Sequence, residues 1–378
     1  MGMPDSKPLI TTVIPTYRRP GLLRRAVVSV LAQTYPHFQV CVYDNASGDE
    51  TENVVRDLAA ADDRVKYFCH PRNIGAMPNF VFGMGRVETP FFSLLSDDDV
   101  LLPGFFQKAL DGFHRHPDAM FSALATIHAG ADGRVTSVPL LAWKEGLYAP
   151  PEGLVTMIEK QHPEWTAILF RREVLEKVGT IDLETGAPSD FDYELRVAAS
   201  YPIAISREPG AIWVSHEGSI SAAPHLETAW PAWQKILANL MQQESITGAV
   251  RLRARRQLLR NFRNRHLALG GLAYVVQEDW DQTELAARIL RNGYDKQLRA
   301  SLLQITSRAA QRSTLLLGLL KVLNSTRKSI RAFMSPPVDP EYAQYASLLS
   351  ARDEDLGPRS HSGRENNSAP LSRSPEPS

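Results

Sequence analysis

Phe91-Phe92-Ser93-Leu94-Leu95-Ser96-Asp97-Asp98-Asp99-Val100 is the stretch on which the reading of this chain turns. Its first half is a short apolar run that begins with two aromatics, the pattern of a buried strand. Its second half sets three carboxylates where that strand would end. In open α/β sheets, ligands bind outside the carboxyl ends of parallel strands. Three adjacent carboxylates repel one another unless a cation or a donor compensates them. Hard divalent cations such as Mg²⁺ or Mn²⁺ take carboxylate oxygens and leave positions open for phosphate. The stretch reads either as a metal–diphosphate site or as a solvated acidic turn, since Asp is a common turn residue.

Working back from it, Leu9–Ile14 reads as a first buried strand, ended by Pro15-Thr16-Tyr17-Arg18-Arg19-Pro20. Pro20 suits the first turn of a helix, and Leu22, Leu23, Ala26, Val27, Val30 and Leu31 follow at helical spacing. Gln39–Tyr43 is a second strand ending in Asp44-Asn45-Ala46-Ser47. Ser47 and Glu50 suggest a capping box for the helix that carries Val54, Val55, Leu58 and Ala59. Val65–Phe68 is a third strand, and Pro78 is placed to start a third helix. This alternation predicts an α/β fold, a mostly parallel Rossmann-like sheet with helices on both faces. One edge would then collect Thr16, Tyr17, Asp44, Asn45, Arg72, Asn73 and Asp97–Asp99. No G-x-G-x-x-G follows the first strand, which disfavours a dinucleotide site.

Working forward, residues 104–113 predict a helix, 119–138 a hairpin around Asp132-Gly133, and 143–165 irregular chain with Pro150, Pro151 and Pro163. Ala167–Phe170 is a short strand. Ser189–Arg196 leads into a helix, and Ile212–His216 closes the first domain, placed at 1–225. Residues 226–350 read as a basic α-helical C-terminal domain, and 351–378, rich in Ser, Pro, Arg and Glu, as a disordered tail. Net charge is zero but uneven: residues 1–249 carry −9, 250–335 carry +12 and 336–378 carry −3. An acidic first domain is thus followed by a basic segment with its own prospective partner. The 2 cysteines, Cys41 and Cys69, read as buried thiols. No signal-type segment and no apolar run of about 18 residues is evident, so the expected location is cytoplasmic.

Several motifs in order then resemble one family. Val13-Ile14-Pro15-Thr16-Tyr17-Arg18-Arg19, Ser29–Tyr35, Asp44-Asn45-Ala46-Ser47, Asn73-Ile74-Gly75 and Asp97-Asp98-Asp99 resemble the nucleotide-sugar half of a family 2 glycosyltransferase with a GT-A fold. Ile168–Gly179, Ser189–Arg196 and the stretch around His216 resemble its acceptor half. The resemblance covers residues 8–222. It implies an inverting, metal-dependent transferase that moves a sugar from a nucleoside diphosphate sugar, UDP favoured, to a saccharide, lipid-linked or small-molecule acceptor. Such activity serves polysaccharide biosynthesis among other ends.

Carried over residue by residue, Pro15, Thr16, Tyr17 and Arg18 would line the base pocket, and Asp44 or Asn45 would meet the base. The family more often has two carboxylates there, and Asn45 departs from that. Arg72 and Asn79 are candidates for diphosphate or base. Asp97–Asp99 matches the D-x-D motif, with Asp97 and Asp98 toward the nucleotide-sugar and Asp99 on the Mg²⁺ or Mn²⁺. Asp190 is the candidate base, the second of the family's Glu-Asp pair, with Ser189 replacing the glutamate; Asp192 is the fallback. Acidic residues at a helix N-terminus also occur for helix stability alone. His216 is a candidate metal ligand or a structural histidine, and Trp165 a candidate acceptor platform or a core residue.

The chemistry needs these groups. Cleavage at the anomeric carbon builds charge on the leaving diphosphate, which a cation offsets, and the acceptor hydroxyl needs a base within hydrogen-bond reach. A non-catalytic sugar-nucleotide or carbohydrate-binding protein on the same fold is the alternative. A nucleotidyltransferase would want a Gly-rich, Lys-bearing loop near the first strand, and none is present. The basic segment suggests peripheral attachment at the inner face of a membrane, docking to another protein or copy, or simply a solvated face. Nucleic acid is not expected, because aromatics do not interleave with its basic residues.

Overall fold

The computed structural model describes residues 8–215, 225–334 and 340–350. His216 and the expected disordered tail, residues 351–378, lie outside the described residues.

The first half is the predicted alternation. Strands β1 (Ile10–Thr16), β2 (Phe38–Asp44), β3 (Val65–Cys69) and β4 (Phe91–Leu94) are parallel, joined through helices α1 (Pro20–Leu31), α2 (Thr51–Ala61) and α3 (Ala76–Met84). β1 is buried along its whole length, as a central strand covered on both faces must be. A two-residue strand β5 (Val100–Leu101) and helix α4 (Phe105–Arg115) follow. The second half adds β6 (Phe121–Gly130), β7 (Val135–Ser137), β8 (Gly146–Tyr148), α5 (Glu152–Glu159), β9 (Ile168–Arg171), α6 (Val174–Lys177), α7 (Ser189–Ser200) and β10 (Ile203–Ser215). All ten strands make one sheet of order β3-β2-β1-β4-β9-β6-β10-β5, with β7 on β6 and β8 on β10.

The two halves join where β9 runs antiparallel between β4 and β6. Phe92, Phe170 and Phe121 stand in cross-strand register there, and Phe92 stacks on Phe170 at 5.2 Å. Aromatic cross-strand pairs of this kind add to simple burial, and they fix the register of the junction. Because β1, β2 and β4 are parallel, their carboxyl ends leave the sheet on one side. Leu95 extends the ladder by donating its N–H to the Val13 carbonyl at 3.0 Å, so the acidic turn begins as soon as β4 ends.

The remaining helices are α8 (Leu226–Met241), α9 (Gly248–Phe262), α10 (Leu269–Val276), α11 (Trp280–Asn292), α12 (Gln297–Arg312), α13 (Thr314–Met334), α14 (Pro340–Ala343) and α15 (Ser347–Ser350), with a π-helical turn at Arg263–Ala268. Ile236 and Leu240 of α8 and Leu258 of α9 share a core with Tyr193 and Ile203 of the α/β part. Tyr342, Tyr345 and Leu349 near the end pack against Val100, Ile212 and Val214.

Three expectations are corrected. Residues 143–165 are not irregular: they hold β8 and α5, whose Leu154, Met157 and Ile158 are buried at helical spacing. Pro150 and Pro151 punctuate the start of that helix rather than abolish it. Ser47 does not cap α2. It instead accepts the Arg18 N–H at 2.9 Å, and Asp49 accepts the Thr51 N–H at 3.0 Å. Cys69 is exposed rather than buried, because β3 is an edge strand.

Candidate functional site

A cleft of about 480 Å³ lies at the carboxyl ends of β1, β2 and β4. Pro15, Thr16, Tyr17, Arg19 and Asn45 line one part of it, and the start of α3 from Gly75 to Phe80 another. Asp97, Asp98, Trp165, Asp190 and Trp213 complete the wall. Gly75 takes φ +93° as it leads into α3, a conformation that an L side chain rarely adopts.

The acidic turn is held by donors from β1 and α1. Thr16 Oγ1 donates to Asp97 Oδ2 at 2.8 Å, and Arg19 Nη1 reaches Asp97 Oδ1 at 3.3 Å and Asp98 Oδ2 at 3.0 Å. Arg25 Nη2 donates to the Asp98 carbonyl at 2.7 Å. Asp99 is turned inward, buried, accepting from Thr166 Oγ1 at 2.8 Å and from the Val214 N–H at 3.0 Å. Burial, reinforced by Asp98, pushes Asp97 up to about 6 against the pull of Thr16 and Arg19. Burial and Asp98 likewise raise Asp99 well above the usual carboxylate range, against its hydrogen bonds to Val214 and Thr166. Asp97 and Asp98 turn carboxylate oxygens to the cleft, the donor type that Mg²⁺ or Mn²⁺ takes. Among the described residues no three His, Cys, Asp or Glu side chains already converge as a cage.

The base-pocket candidates divide. Asn45 lines the cleft, with Oδ1 accepting the Ile74 N–H at 2.8 Å and Nδ2 donating to Asn73 Oδ1 at 3.0 Å. Asp44 sits beneath, buried, both oxygens taken by Tyr67 Oη at 2.7 Å and the Ser47 N–H at 2.9 Å. Arg18 bonds the Ser47 carbonyl through Nε at 3.1 Å instead of lining the cleft, while Arg72 is exposed outside it. Arg18 and Ala46 both have positive φ, 54° and 62°. Non-glycine residues at such angles cost about 1 kcal/mol each and cluster at functional loops. Asn79 borders the cleft, but its amide is spent inside: Nδ2 donates to the Tyr43 carbonyl at 2.7 Å, and Oδ1 lies 2.9 Å from His70 Nε2.

The far side of the cleft carries Asp190, in the first turn of α7 and half-buried. Burial raises its carboxyl, partly offset by His162. Ser189 is buried, its hydroxyl donating to Met77 Sδ at 3.0 Å. One turn along α7 from Asp190, Glu194 is fully buried and accepts from His162 Nδ1 at 2.9 Å through Oε2. Its Oε1 has no hydrogen-bond partner among the described residues. Burial would lower His162, but the Glu194, Asp190 and Glu164 carboxylates outweigh it and push the ring up to about 10. Burial pushes Glu194 up to about 8 against His162. A second pair, His128 Nε2 with Glu164 at 2.7 Å, stands on the Trp213 ring. Asp192, the fallback base, is committed elsewhere: Arg196 Nε at 2.8 Å and Asn239 Nδ2 at 3.0 Å tie it to its own helix and to α8. Trp165 faces the cleft and also packs on Phe80 at 4.7 Å.

The structure thus gathers Pro15, Thr16, Tyr17, Asn45, Asn79, Asp97, Asp98 and Asp190 around one space. Asp44, Asp99 and Arg18 stand behind that surface. Sequence reading missed Arg19 as the partner of the acidic turn and missed the two His–Glu pairs. An arginine three residues beyond a strand-ending Thr was a signal for the first; nothing local signalled the others.

Residues 11–179 match the profile described as Glycosyl transferase family 2. Over 111 residues the chain is 34% identical to the GalNAc(5)-diNAcBac-PP-undecaprenol beta-1,3-glucosyltransferase of Campylobacter jejuni, covering 28% of this chain and 36% of that one. An uncharacterized glycosyltransferase of Rickettsia felis is 36% identical over 98 residues, 25% of this chain and 16% of that one. The chain therefore spans a minor part of the relatives it matches. Among solved structures, S. aureus TarS 1–349 in complex with UDP-GlcNAc superposes with a TM-score of 0.60 at 14% identity, over 85% of this chain and 91% of that one. The same protein in complex with UDP gives 0.58 over 80% of this chain and 91% of that one. The fold is accordingly of GT-A type.

Proposed function

The chain belongs to glycosyltransferase family 2 through residues 11–179, and from that premise we propose that it transfers a sugar from a nucleoside diphosphate sugar to an acceptor hydroxyl with inversion. The observation that carries this is the sharing of one cleft by Asp97 and Asp98 at the β4 end and Asp190 at the α7 end. The two ends supply the two things the reaction needs, charge control at the leaving group and a base at the nucleophile.

Asp190 takes the proton of the acceptor hydroxyl. The acceptor oxygen then forms its bond to the anomeric carbon as the bond to the diphosphate breaks, and the electron pair leaves with the diphosphate. Attack from the opposite face inverts the centre. A carboxyl raised by burial is a stronger base than one in water, provided it is ionised when substrate arrives. His162 works in that direction by favouring the ionised form of Asp190. Arg19 presents its guanidinium beside Asp97 and Asp98, holding the acidic turn in place at the diphosphate end. Asp97 and Asp98, the two carboxylates of the acidic turn that face the cleft, would hold Mg²⁺ or Mn²⁺, which when bound supplies Lewis-acid neutralisation of the leaving diphosphate. Asn45 and Tyr17 meet the base, and Trp165 and Trp213 offer ring faces to a sugar.

A UDP-sugar is the favoured donor; the TarS structure, which shares the fold, is in complex with UDP-GlcNAc. A lipid-linked acceptor is favoured among the saccharide and small-molecule alternatives, in keeping with the undecaprenol-linked acceptor named for the C. jejuni relative. No helix among the described residues is long and apolar enough to cross a membrane. A cytoplasmic enzyme would then reach such an acceptor by attaching at the membrane surface.

The test is release of nucleoside diphosphate from a panel of UDP-, GDP- and dTDP-sugars by wild type and Asp190→Asn. Release by wild type that falls by about 10²–10⁴-fold in the variant supports the reading. No release from any donor by folded wild type would count against it, and binding without release would favour a non-catalytic binder.

A further inference from the structure

Helices α12 and α13 turn apolar stripes outward. On α12, Leu298, Leu302 and Ile305 recur at i, i+4 and i+7, each more than half exposed. On α13, Leu315, Leu319, Val322 and Ile330 recur at i, i+4, i+7 and i+15, also more than half exposed, Leu315 reaching 87%. Such spacing keeps each set on one face of its helix. These helices are not waiting for a missing core, because their other faces are already used. Ala300, Ser307 and Ala310 of α12 are buried, as is Asn324 of α13, and Leu303 packs with Ala300 in the cluster around Phe262 and Leu290. Of the thirteen large apolar side chains that stand exposed among the described residues, eight lie on these two helices. Concentrated exposure of this kind marks an interaction surface rather than ordinary scatter.

Charge selects the partner. Residues 297–334 contain seven Lys or Arg and no Asp or Glu. Arg308 and Arg312 flank the α12 stripe, and Lys321 on α13 is tied to Glu278 at 2.7 Å. Two copies meeting through this face would press like charges together. An anionic lipid surface would accept both features, acyl chains taking the stripes and headgroups the guanidinium groups.

We propose that the outward face of α12 and α13 docks on an anionic bilayer. This deepens the surface attachment suggested above by naming the side chains that make it, and it does not depend on the chemistry of the cleft. The test uses the full chain in co-sedimentation with vesicles of phosphatidylcholine alone and with a third phosphatidylglycerol, at 50 and 300 mM salt. Binding is expected to the anionic vesicles, at least tenfold weaker at the higher salt. A similar loss is expected in Leu319→Ser/Val322→Ser, whose replaced side chains are exposed and leave the fold intact by circular dichroism. Arg308→Gln/Arg312→Gln is expected to lose affinity for the anionic vesicles while its thermal midpoint is kept. Nucleoside diphosphate titration of the same variants is expected to match wild type, which separates failure of this proposal from failure of the cleft reading. Absence of vesicle binding by the folded chain at 50 mM salt would overturn the proposal. So would unchanged binding by Leu319→Ser/Val322→Ser, or light scattering that finds a dimer abolished by that variant and no lipid binding.

Discussion

Val214 donates its backbone N–H to Asp99 Oδ1 at 3.0 Å across 115 positions of sequence. With Thr166 Oγ1 on the other oxygen at 2.8 Å, the last Asp of the acidic turn ties the end of β4 to β10. A carboxylate this deep has no water to replace a lost donor. Thr166→Val is therefore expected to cost about 1–3 kcal/mol of stability, the penalty for a buried acceptor left unmet. Denaturant unfolding reads this directly. A loss below about 0.5 kcal/mol would mean the bond does not hold the turn.

The His162–Glu194 pair makes a pH-dependent contribution with a definite sign. Both groups are raised on folding, from ordinary values of 6.5 and 4.5 to about 10 and about 8. The folded chain thus binds protons more tightly than the unfolded one. The stabilisation is full below the unfolded values and drains as pH rises through the folded ones. Wild type is expected to lose stability from pH 7 to 10, and His162→Gln to lose the part of that slope above pH 8. His162→Ala should cost about 3 kcal/mol near neutrality, because Glu194 would be left with neither oxygen partnered. Thermal midpoints across pH check both, and parallel curves for wild type and His162→Gln would contradict the assignment.

Asn79 separates architecture from binding. Its amide joins His70 to the Tyr43 carbonyl inside the protein. Asn79→Ala is expected to lower stability by about 2 kcal/mol while leaving affinity for a nucleoside diphosphate within a few-fold of wild type. Titration calorimetry on the variant distinguishes this from a direct nucleotide contact, which would show the opposite pattern.

Gly83 lets α3 lie directly on the sheet. A Cβ there would stand 2.4 Å from Val13 Cγ1 and 2.9 Å from the Tyr43 ring. Both neighbours are buried, so neither can move freely. Gly83→Ala is expected to cost about 1–3 kcal/mol by overpacking, in spite of the better helix propensity of alanine. A stabilised variant in chemical denaturation would show that the contact relaxes.

Much of the site was legible because it follows from local patterns. Apolar runs ending in Pro15-Thr16-Tyr17, Asp44-Asn45 and Asp97-Asp98-Asp99 mark strand ends, and parallel strands bring such ends together whatever the details. The rest depends on pairings no local pattern encodes. His162 and Glu164 sit in a stretch whose prolines hide α5, and their roles come only from Glu194 and His128, 32 and 36 positions away. The same applies to Asp44 and Asp99, whose types announce an anion or cation site but whose oxygens are spent on Tyr67, Ser47, Thr166 and Val214. The first half of β10 was missed because Arg207-Glu208-Pro209 interrupts its apolar pattern at a register shift against β6. A residue type fixes what a side chain can bond; tertiary structure decides whether it still has a bond to offer.

The most direct test of the central claim is calorimetric titration of UDP, GDP and dTDP, each with and without Mn²⁺, into wild type, Asp97→Asn and Asp98→Asn. The expected result is Mn²⁺-dependent binding of one diphosphate by wild type, weakened at least tenfold in both variants while their folds persist. Failure of folded wild type to bind any of the three would contradict a nucleotide-sugar site in this cleft, and with it the transferase.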